Sequence, residues 1–485
     1  MKLQNRTLFF GDNLEILTEK IPPESFDLIY LDPPFNSDRN YNVLFKEGKV
    51  DSSAQIHAFE DTWEWTDTTV HLFEGLKAGP NPKVAILVSS LWEFLGPTPM
   101  MAYLVNMSAR LLPLHTVLKE TGSLYLHCDP TASHYLKIIL DVIFGGKNFK
   151  NEVIWHYRRW TGKARMFQKL HDVILFYTKT DNYKFNEQFT EYTEGSKDRK
   201  LQGVIHRFKG DEAYLVSEKS IDEKGVREND VWQIPFIAPS ARERLGYPTQ
   251  KPEALLEKII KASSDEGDWV LDPFCGCGTT VAVAERLHRN WVGIDISMQA
   301  INVIKERLNA HFSGIKVNID GIPQDYEAAQ SLAAKDKFSF QDWAISLVGA
   351  YPPSGETKRG ADRGIDGLIL FNENINTEHP QLRKIIVQVK GGNTSRHDVA
   401  TLKGDADREN APMGILITLD EPTTEMKREA ALSGEYRYSN SVSFPKIQLL
   451  SVKDWFDGQR ASLPTDKVIS PFKRADAKVD QTALF

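Results

Sequence analysis

Short apolar runs separated by polar turns dominate the hydrophobic pattern of this chain. Phe26 to Leu31 is nearly uniform in apolar character, which predicts a strand covered on both faces. Asp268 to Leu271 is a second such run. A glycine turn follows it, then Val281 to Leu287 with helical periodicity, then another strand-like run from Asn290 to Ile296. Strand, turn, helix and strand in that order predict a βαβ unit within a parallel sheet. KLHDVILFYTK, from Lys169 to Lys179, predicts a further strand, with Trp155 and His156 leading into it. After Ile315 the pattern changes. Phe338 to Ala350 has amphipathic helical spacing and ends at a Pro-Pro-Ser-Gly break. The apolar runs within Gly360 to Phe371 and Lys384 to Val389 predict a hairpin-like pair of strands.

Two of the turns bring chemistry with them. In the first, Gly276 and Gly278 let the backbone bend tightly and approach a ligand, and the next helix points its free N–H groups into the turn. Asp295 ends the following strand about twenty residues on, the offset at which nucleotide folds place a carboxylate against ribose. A dinucleotide site wants a third glycine for its pyrophosphate, and this turn lacks one. S-adenosylmethionine has no pyrophosphate and fits better. In the second turn, after Leu31, Pro33 and Pro34 fix an extended backbone with free carbonyls. A carboxylate from Asp32, the Pro33 carbonyl and the aromatic face of Phe35 suit the exocyclic amine of an extruded base. The plain alternatives are a structural glycine turn and a proline-stiffened turn.

Four segments now stand in order: DPPFN from Asp32, PTQKPEALL from Pro248, DPFCGCGTT from Asp272 and GIDIS from Gly293. Over about residues 1–315 they resemble the β group of DNA methyltransferases that act on adenine N6 or cytosine N4. In that group the motifs are circularly permuted, with the catalytic motif first and the cofactor motifs last. The resemblance implies a Rossmann-like sheet and catalysis by Asp32, Pro33, Pro34 and Phe35. It implies a cofactor site of Phe274, Gly276, Gly278 and Asp295, with Thr249, Lys251, Thr279 and Thr280 at the methionine end. Asp12 is expected near the cofactor adenine and Asp272 near the methionine amine.

Carbon-5 methylation of cytosine needs a cysteine nucleophile, usually after proline, and none of Cys128, Cys275 and Cys277 follows one. An exocyclic amine needs only positioning and electrostatic relief. Asp at the first motif position resembles the adenine enzymes, so adenine N6 in duplex DNA is the expected target, with cytosine N4 the alternative. Cys275 and Cys277 lack companions for a tetrahedral metal site and read as small residues at a packed turn.

The formal net charge is −7, so contact with DNA has to rely on a local basic patch. Asn151 to Tyr247 offers one, opening with Trp155, Tyr157, Arg158, Arg159, Trp160, Lys163, Arg165 and Lys169. His171 is a candidate to serve the target amine, although a structural role is the commoner one for such a histidine. Few cysteines, no signal peptide and no apolar run long enough to span a bilayer point to the cytoplasm and away from a membrane. The resemblance implies a homodimer, and a restriction or specificity subunit is the further partner to look for.

In the last third, Asp366 near one strand start and Gln388 and Lys390 near the other strand end share a neighbourhood. Asp366 and the carbonyl of Val389 suit Mg²⁺, with Lys390 stabilising hydroxide. Residues 335–460 resemble the PD-(D/E)xK nuclease fold, and more closely Mrr-type restriction endonuclease domains. Gln388 stands where an acidic ligand is usual and binds Mg²⁺ more weakly.

The expected architecture is α/β. Residues 1–179 form a catalytic half, 180–240 a target-recognition insert, 241–315 a cofactor-binding half, 335–460 a nuclease-like domain and 461–485 a solvated tail. The expected enzyme is a site-specific adenine DNA methyltransferase of a restriction-modification or phage-type setting, with Mg²⁺-dependent endonuclease activity an open addition. A restriction nuclease whose methyltransferase half mainly binds DNA and cofactor is the alternative from another class.

Overall fold

The structure is a computed structural model and describes residues 3–34, 40–47, 50–60, 63–158, 165–192, 206–209, 212–215, 225–238, 240–247, 249–353, 364–373, 382–438, 442–464 and 468. Phe35, Pro248 and the basic residues from Arg159 to Lys163 lie outside the described residues.

Nine strands make one sheet: β1 (Thr7–Phe10), β2 (Phe26–Leu31), β3 (Leu118–Cys128), β4 (Phe149–His156), β5 (His171–Thr178), β6 (Val231–Gln233), β7 (Trp269–Asp272), β8 (Asn290–Asp295) and β9 (Asn318–Asp320). Across the sheet they run β6-β4-β5-β3-β2-β7-β8-β1-β9. Only β5 runs against its neighbours. β6, inside the segment expected to be a recognition insert, pairs with β4 and extends the sheet edge.

The principal helices over this sheet are α1 (Asn13–Glu19), α2 (Pro99–Val117), α3 (Glu253–Ser263), α4 (Thr279–Arg286) and α5 (Met298–His311). β2 is buried throughout, and its alternate side chains enter different layers. Leu28 and Tyr30 pack in the layer of α3, α4 and α5 through Ile259, Val281 and Ile304. Ile29 and Leu31 pack in the layer of α1 and α2 through Leu17, Leu104 and Leu111. A strand loaded on both faces holds its register firmly, because a one-residue slip would exchange the two layers. The end of β2 is thereby fixed.

A second sheet contains β10 (Gly367–Asn372), β11 (Leu382–Lys390), β12 (Met413–Thr418) and β13 (Ile447–Ser451), in that order. β10 and β11 form the expected antiparallel pair, with Gly367 opposite Val387, and the remaining pairs are parallel. Three further helices matter here: α6 (Lys337–Ser346), α7 (Arg396–Arg408) and α8 (Thr424–Leu432). Ile386 and Leu416 pack with Val399 and Leu402 of α7 and Met426 of α8. Ile385, Val387, Ile415 and Ile417 share a cluster with Phe340 and Trp343 of α6. The helix expected from Phe338 to Ala350 is α6, which ends at Ser346. It touches α5 as well as β11, so the same apolar cluster continues into the first sheet. Lys335 also pairs with Glu15, and the Tyr326 hydroxyl donates to Asp420. Among the described residues no helix is long and apolar enough to cross a membrane.

Candidate active site at the strand ends

β2, β3, β7 and β8 are parallel, so their C-terminal ends share one edge, the edge where open α/β sheets bind ligands. β7 runs into the glycine turn. Gly276 and Gly278 have φ of 51° and 74°, left-handed values that favour glycine. A Cβ on Gly278 would come within 2.8 Å of Ile304, and one on Gly293 within 2.8 Å of the Cys275 sulfur. The turn therefore packs tightly between α5 and β8, with the N-terminus of α4 at its end.

Two carboxylates line the turn. Asp295 accepts from Gly276 N at 2.7 Å and Ser297 N at 2.8 Å. Burial pushes it up to about 6, although those backbone donors pull the other way. Asp272 accepts from Phe274 N at 3.0 Å. Burial pushes it up to about 7, opposed by hydrogen bonds from Thr280 and Phe274. A cationic ligand facing these groups would hold them ionised. The sulfonium and ammonium of S-adenosylmethionine meet that demand, and the carboxylate at a strand end suits its ribose.

Asp12 caps α1 by accepting from Leu14 N at 2.7 Å and holds Arg110 through both oxygens at 3.1 Å. Arg110 donates to Asn13 at 2.7 Å, and Asn13 donates to the Pro273 carbonyl at 2.7 Å. Asp12 is thus joined to the start of the glycine turn through Arg110 and Asn13. Thr279 is committed to the protein: its hydroxyl receives Arg307 at 3.1 Å and donates to the Lys251 carbonyl at 3.3 Å. Arg307, buried in α5, also reaches the Cys277 carbonyl at 3.2 Å and Glu253 at 2.9 Å. Nothing in the local sequence singled it out. Thr249 is exposed, with φ of 60°, and Phe274 is half-buried.

At the end of β2, Asp32 forms an ion pair with Lys251 through Oδ2. Lys251 was expected at the methionine end of the cofactor; its ammonium meets Asp32, 219 positions earlier in the chain. The other oxygen, Oδ1, is buried and accepts no hydrogen bond from any described residue. His127 Nδ1 lies 3.9 Å from it. Pro33 is buried, and the Pro34 carbonyl accepts from Trp63 Nε1 at 3.3 Å. His171 sits opposite His156 on the β4–β5 pair, so the histidine beside Asp32 is His127 instead. The signal for it was a polar residue closing the apolar run of β3.

In the second sheet Asp366 accepts from Val389 N at 2.6 Å. Gln388 is buried and donates its amide to Asp405 at 2.6 Å, and Asp405 also holds Arg408 at 2.6 Å. Lys390 ends β11. Gln388 thus presents its N–H to a carboxylate. Among the described residues no group of three or more His, Cys, Asp or Glu side chains could share a metal ion. The Val389 N–H occupies one oxygen of Asp366, and Asp405 the amide nitrogen of Gln388.

Comparison with known proteins matches residues 26–306 to the N6/N4 DNA methylase family profile. Residues 350–449 match a profile described as NACHT-associated inactive restriction endonuclease 1. The type II methyltransferase M.HpaI of Haemophilus parainfluenzae is 34% identical over 201 residues, covering 41% of this chain and 57% of the relative. The DNA adenine methyltransferase YhdJ of Escherichia coli is 29% identical over 314 residues, covering 64% and 85%. M.BamHI of Bacillus amyloliquefaciens is 27% identical over 302 residues, covering 62% and 56%. The chain thus spans little more than half the length of several curated relatives. Among solved structures, the cytosine-N4-specific PvuII DNA methyltransferase aligns with a TM-score of 0.40 at 15% identity, over 65% of this chain and 89% of its own. The M1.HpyAVI complex with S-adenosylmethionine aligns at 0.33 and 18%, over 62% and 98%.

Replacing Arg307 by Met would leave Glu253 without its buried partner and free the Cys277 carbonyl. The expected loss is about 3 kcal/mol of stability, as for other broken buried pairs. Denaturant titration of the R307M chain measures it. An unchanged midpoint would mean the turn holds without Arg307.

Proposed function

Because the chain belongs to the N6/N4 DNA methylase family by its match over residues 26–306, we propose that it transfers a methyl group from S-adenosylmethionine to adenine N6 in duplex DNA. The observation that carries this reading is the buried Asp32 Oδ1, an acceptor without a donor at the strand end. An extruded base offers the N–H that such an acceptor lacks. The cofactor supplies an electrophilic methyl group on its sulfonium. Asp32 accepts one amine hydrogen, which aims the nitrogen lone pair and stabilises positive charge as it develops. Lys251 keeps the other oxygen occupied, so the carboxylate presents one edge.

Adenine is preferred to cytosine N4 for two reasons. Asp heads the DPPF motif, and the relative YhdJ is named a DNA adenine methyltransferase. Target recognition by residues 180–240, a homodimeric assembly and a cytoplasmic setting belong to the same proposal and rest on the β-group resemblance. For the second sheet we propose DNA engagement without cleavage. Its support is the Gln388–Asp405 bond and the inactive-endonuclease profile.

Nucleoside mass spectrometry after incubation with unmethylated DNA and S-adenosylmethionine in EDTA is expected to show N6-methyladenine. The D32A chain should lose about 100-fold or more in rate while still binding cofactor. N4-methylcytosine would move the assignment to cytosine, and no methylated base from any DNA would end the proposal.

Cofactor affinity should fall with acidity. Asp272 and Asp295 take up protons as pH drops through about 7 and about 6, and a cation binds their ionised forms. The dissociation constant should rise by roughly tenfold per pH unit for each proton taken up. Calorimetric titration across this range measures it, with D272N flattening the upper limb; a pH-independent constant would contradict the carboxylate assignment.

Mg²⁺ added to the chain with unmethylated DNA should produce no double-strand breaks on gels. Cleavage that disappears in the D366A chain would instead establish the endonuclease.

A further inference from the structure

A chain of polar side chains crosses the strand ends behind Asp32. His127 in β3 lies beside it, followed by Asp172 in β5 and Tyr157 just beyond β4. His127 is fully buried. Its Nε2 is 3.2 Å from Asp172, whose other oxygen accepts the Tyr157 hydroxyl at 2.9 Å. Its Nδ1 is 2.9 Å from the Tyr30 hydroxyl and 3.9 Å from Asp32 Oδ1. Trp155 packs edge-on against the ring with centroids 5.5 Å apart.

The hydrogen-bond pattern assigns the tautomer. Asp172 can only accept, so Nε2 carries the hydrogen and Nδ1 the lone pair. Burial, with Asp32, Asp272 and Asp172 nearby, raises the Tyr30 phenol well above 10 and keeps it a donor to that lone pair. The charged groups facing the ring are therefore Asp32 and Asp172, with Lys251 behind Asp32 and acting on Asp172 as well. An imidazole serving only as core filling has no need of a carboxylate on each side.

We propose that His127, backed by Asp172, receives through Asp32 the proton that amine methylation releases. The inference rests on the amine-methylation reading. In the reaction the nitrogen–carbon bond forms as the carbon–sulfur bond breaks, and the electron pair of that bond stays on sulfur. The nitrogen then carries a positive charge and two hydrogens. One proton passes to Asp32 Oδ1, and its N–H bonding pair returns to nitrogen. Once protonated, Asp32 is neutral and held less firmly by Lys251, so its carboxyl group turns across the 3.9 Å gap to Nδ1, where the proton comes to rest. The Tyr30 hydroxyl turns to accept from it, and Asp172 stabilises the imidazolium. When product leaves, the proton returns through Asp32 to solvent. His127 is thus a positioning residue for charge that acts through Asp32 without touching the base.

The test uses the full chain, S-adenosylmethionine and unmethylated genomic DNA in single-turnover experiments, with a pH-indicator dye in weak buffer. In the wild type, proton appearance should lag methyl transfer until product leaves. H127Q and D172N should bind cofactor and DNA within about twofold of wild type, yet slow methyl transfer by about 100-fold and abolish the lag. D172N removes charge at nearly constant shape and carries the same readout should H127Q fail to fold. Unchanged rate and lag in a folded variant would overturn the assignment of His127 alone. A wild-type chain that methylates no DNA would overturn the methyltransferase reading and this inference with it.

Discussion

The site depends on the pairing of Lys251 with Asp32, a contact between two turns that belong to opposite ends of the first domain. A partly buried ion pair survives only when its geometry is held by the surroundings, since desolvation of both ions offsets their attraction. The surroundings here are identifiable. Lys251 sits just ahead of α3, whose first residue, Glu253, is gripped by Arg307 and Arg286. Arg307 simultaneously holds the carbonyl of Cys277 and the hydroxyl of Thr279. One guanidinium therefore ties the glycine turn to the segment that delivers the lysine. The acid at the end of β2 is oriented by the same framework that shapes the cofactor side of the site.

Such a site works against the stability of the fold. Asp272 and Asp295 have folded-state pKa values above the ordinary carboxylate range because burial disfavours their charge. Below the unfolded carboxylate pKa both states are protonated and these groups have no effect. As pH rises from about 4 to about 7 the unfolded chain loses its protons first, so each group progressively lowers stability. A cationic ligand reverses that penalty. The strand edge is thus preorganised for charge that the protein itself does not provide.

Much of the scaffold was legible from the chain because its signals are local. The β2 run, the strand–turn–helix–strand around Gly276 and Gly278, and the paired strands bearing Asp366 and Gln388 all follow from short-range periodicity and turn chemistry. What escaped is lateral. His127, Asp172 and Tyr157 meet only because β3, β5 and β4 lie side by side with β5 reversed, an order no local pattern encodes. The destination of Lys251 likewise required the sheet order. Gln388 looked like a weakened metal ligand until α7 placed Asp405 against its amide. Helix propensity and alternation state which residues share a face, and they leave open which face meets another element.

Helix α6 places Phe340 and Trp343 in an apolar cluster shared by both sheets and lies between α5 and β11. The appended domain consequently has no lever arm. It is packed against the first domain through α6, unlike a domain carried on a flexible linker. If both sheets engage DNA as proposed, the packing of α6 sets the relation between their surfaces. The span of flanking base pairs, more than a second sequence element, would then decide whether both domains engage one molecule of DNA.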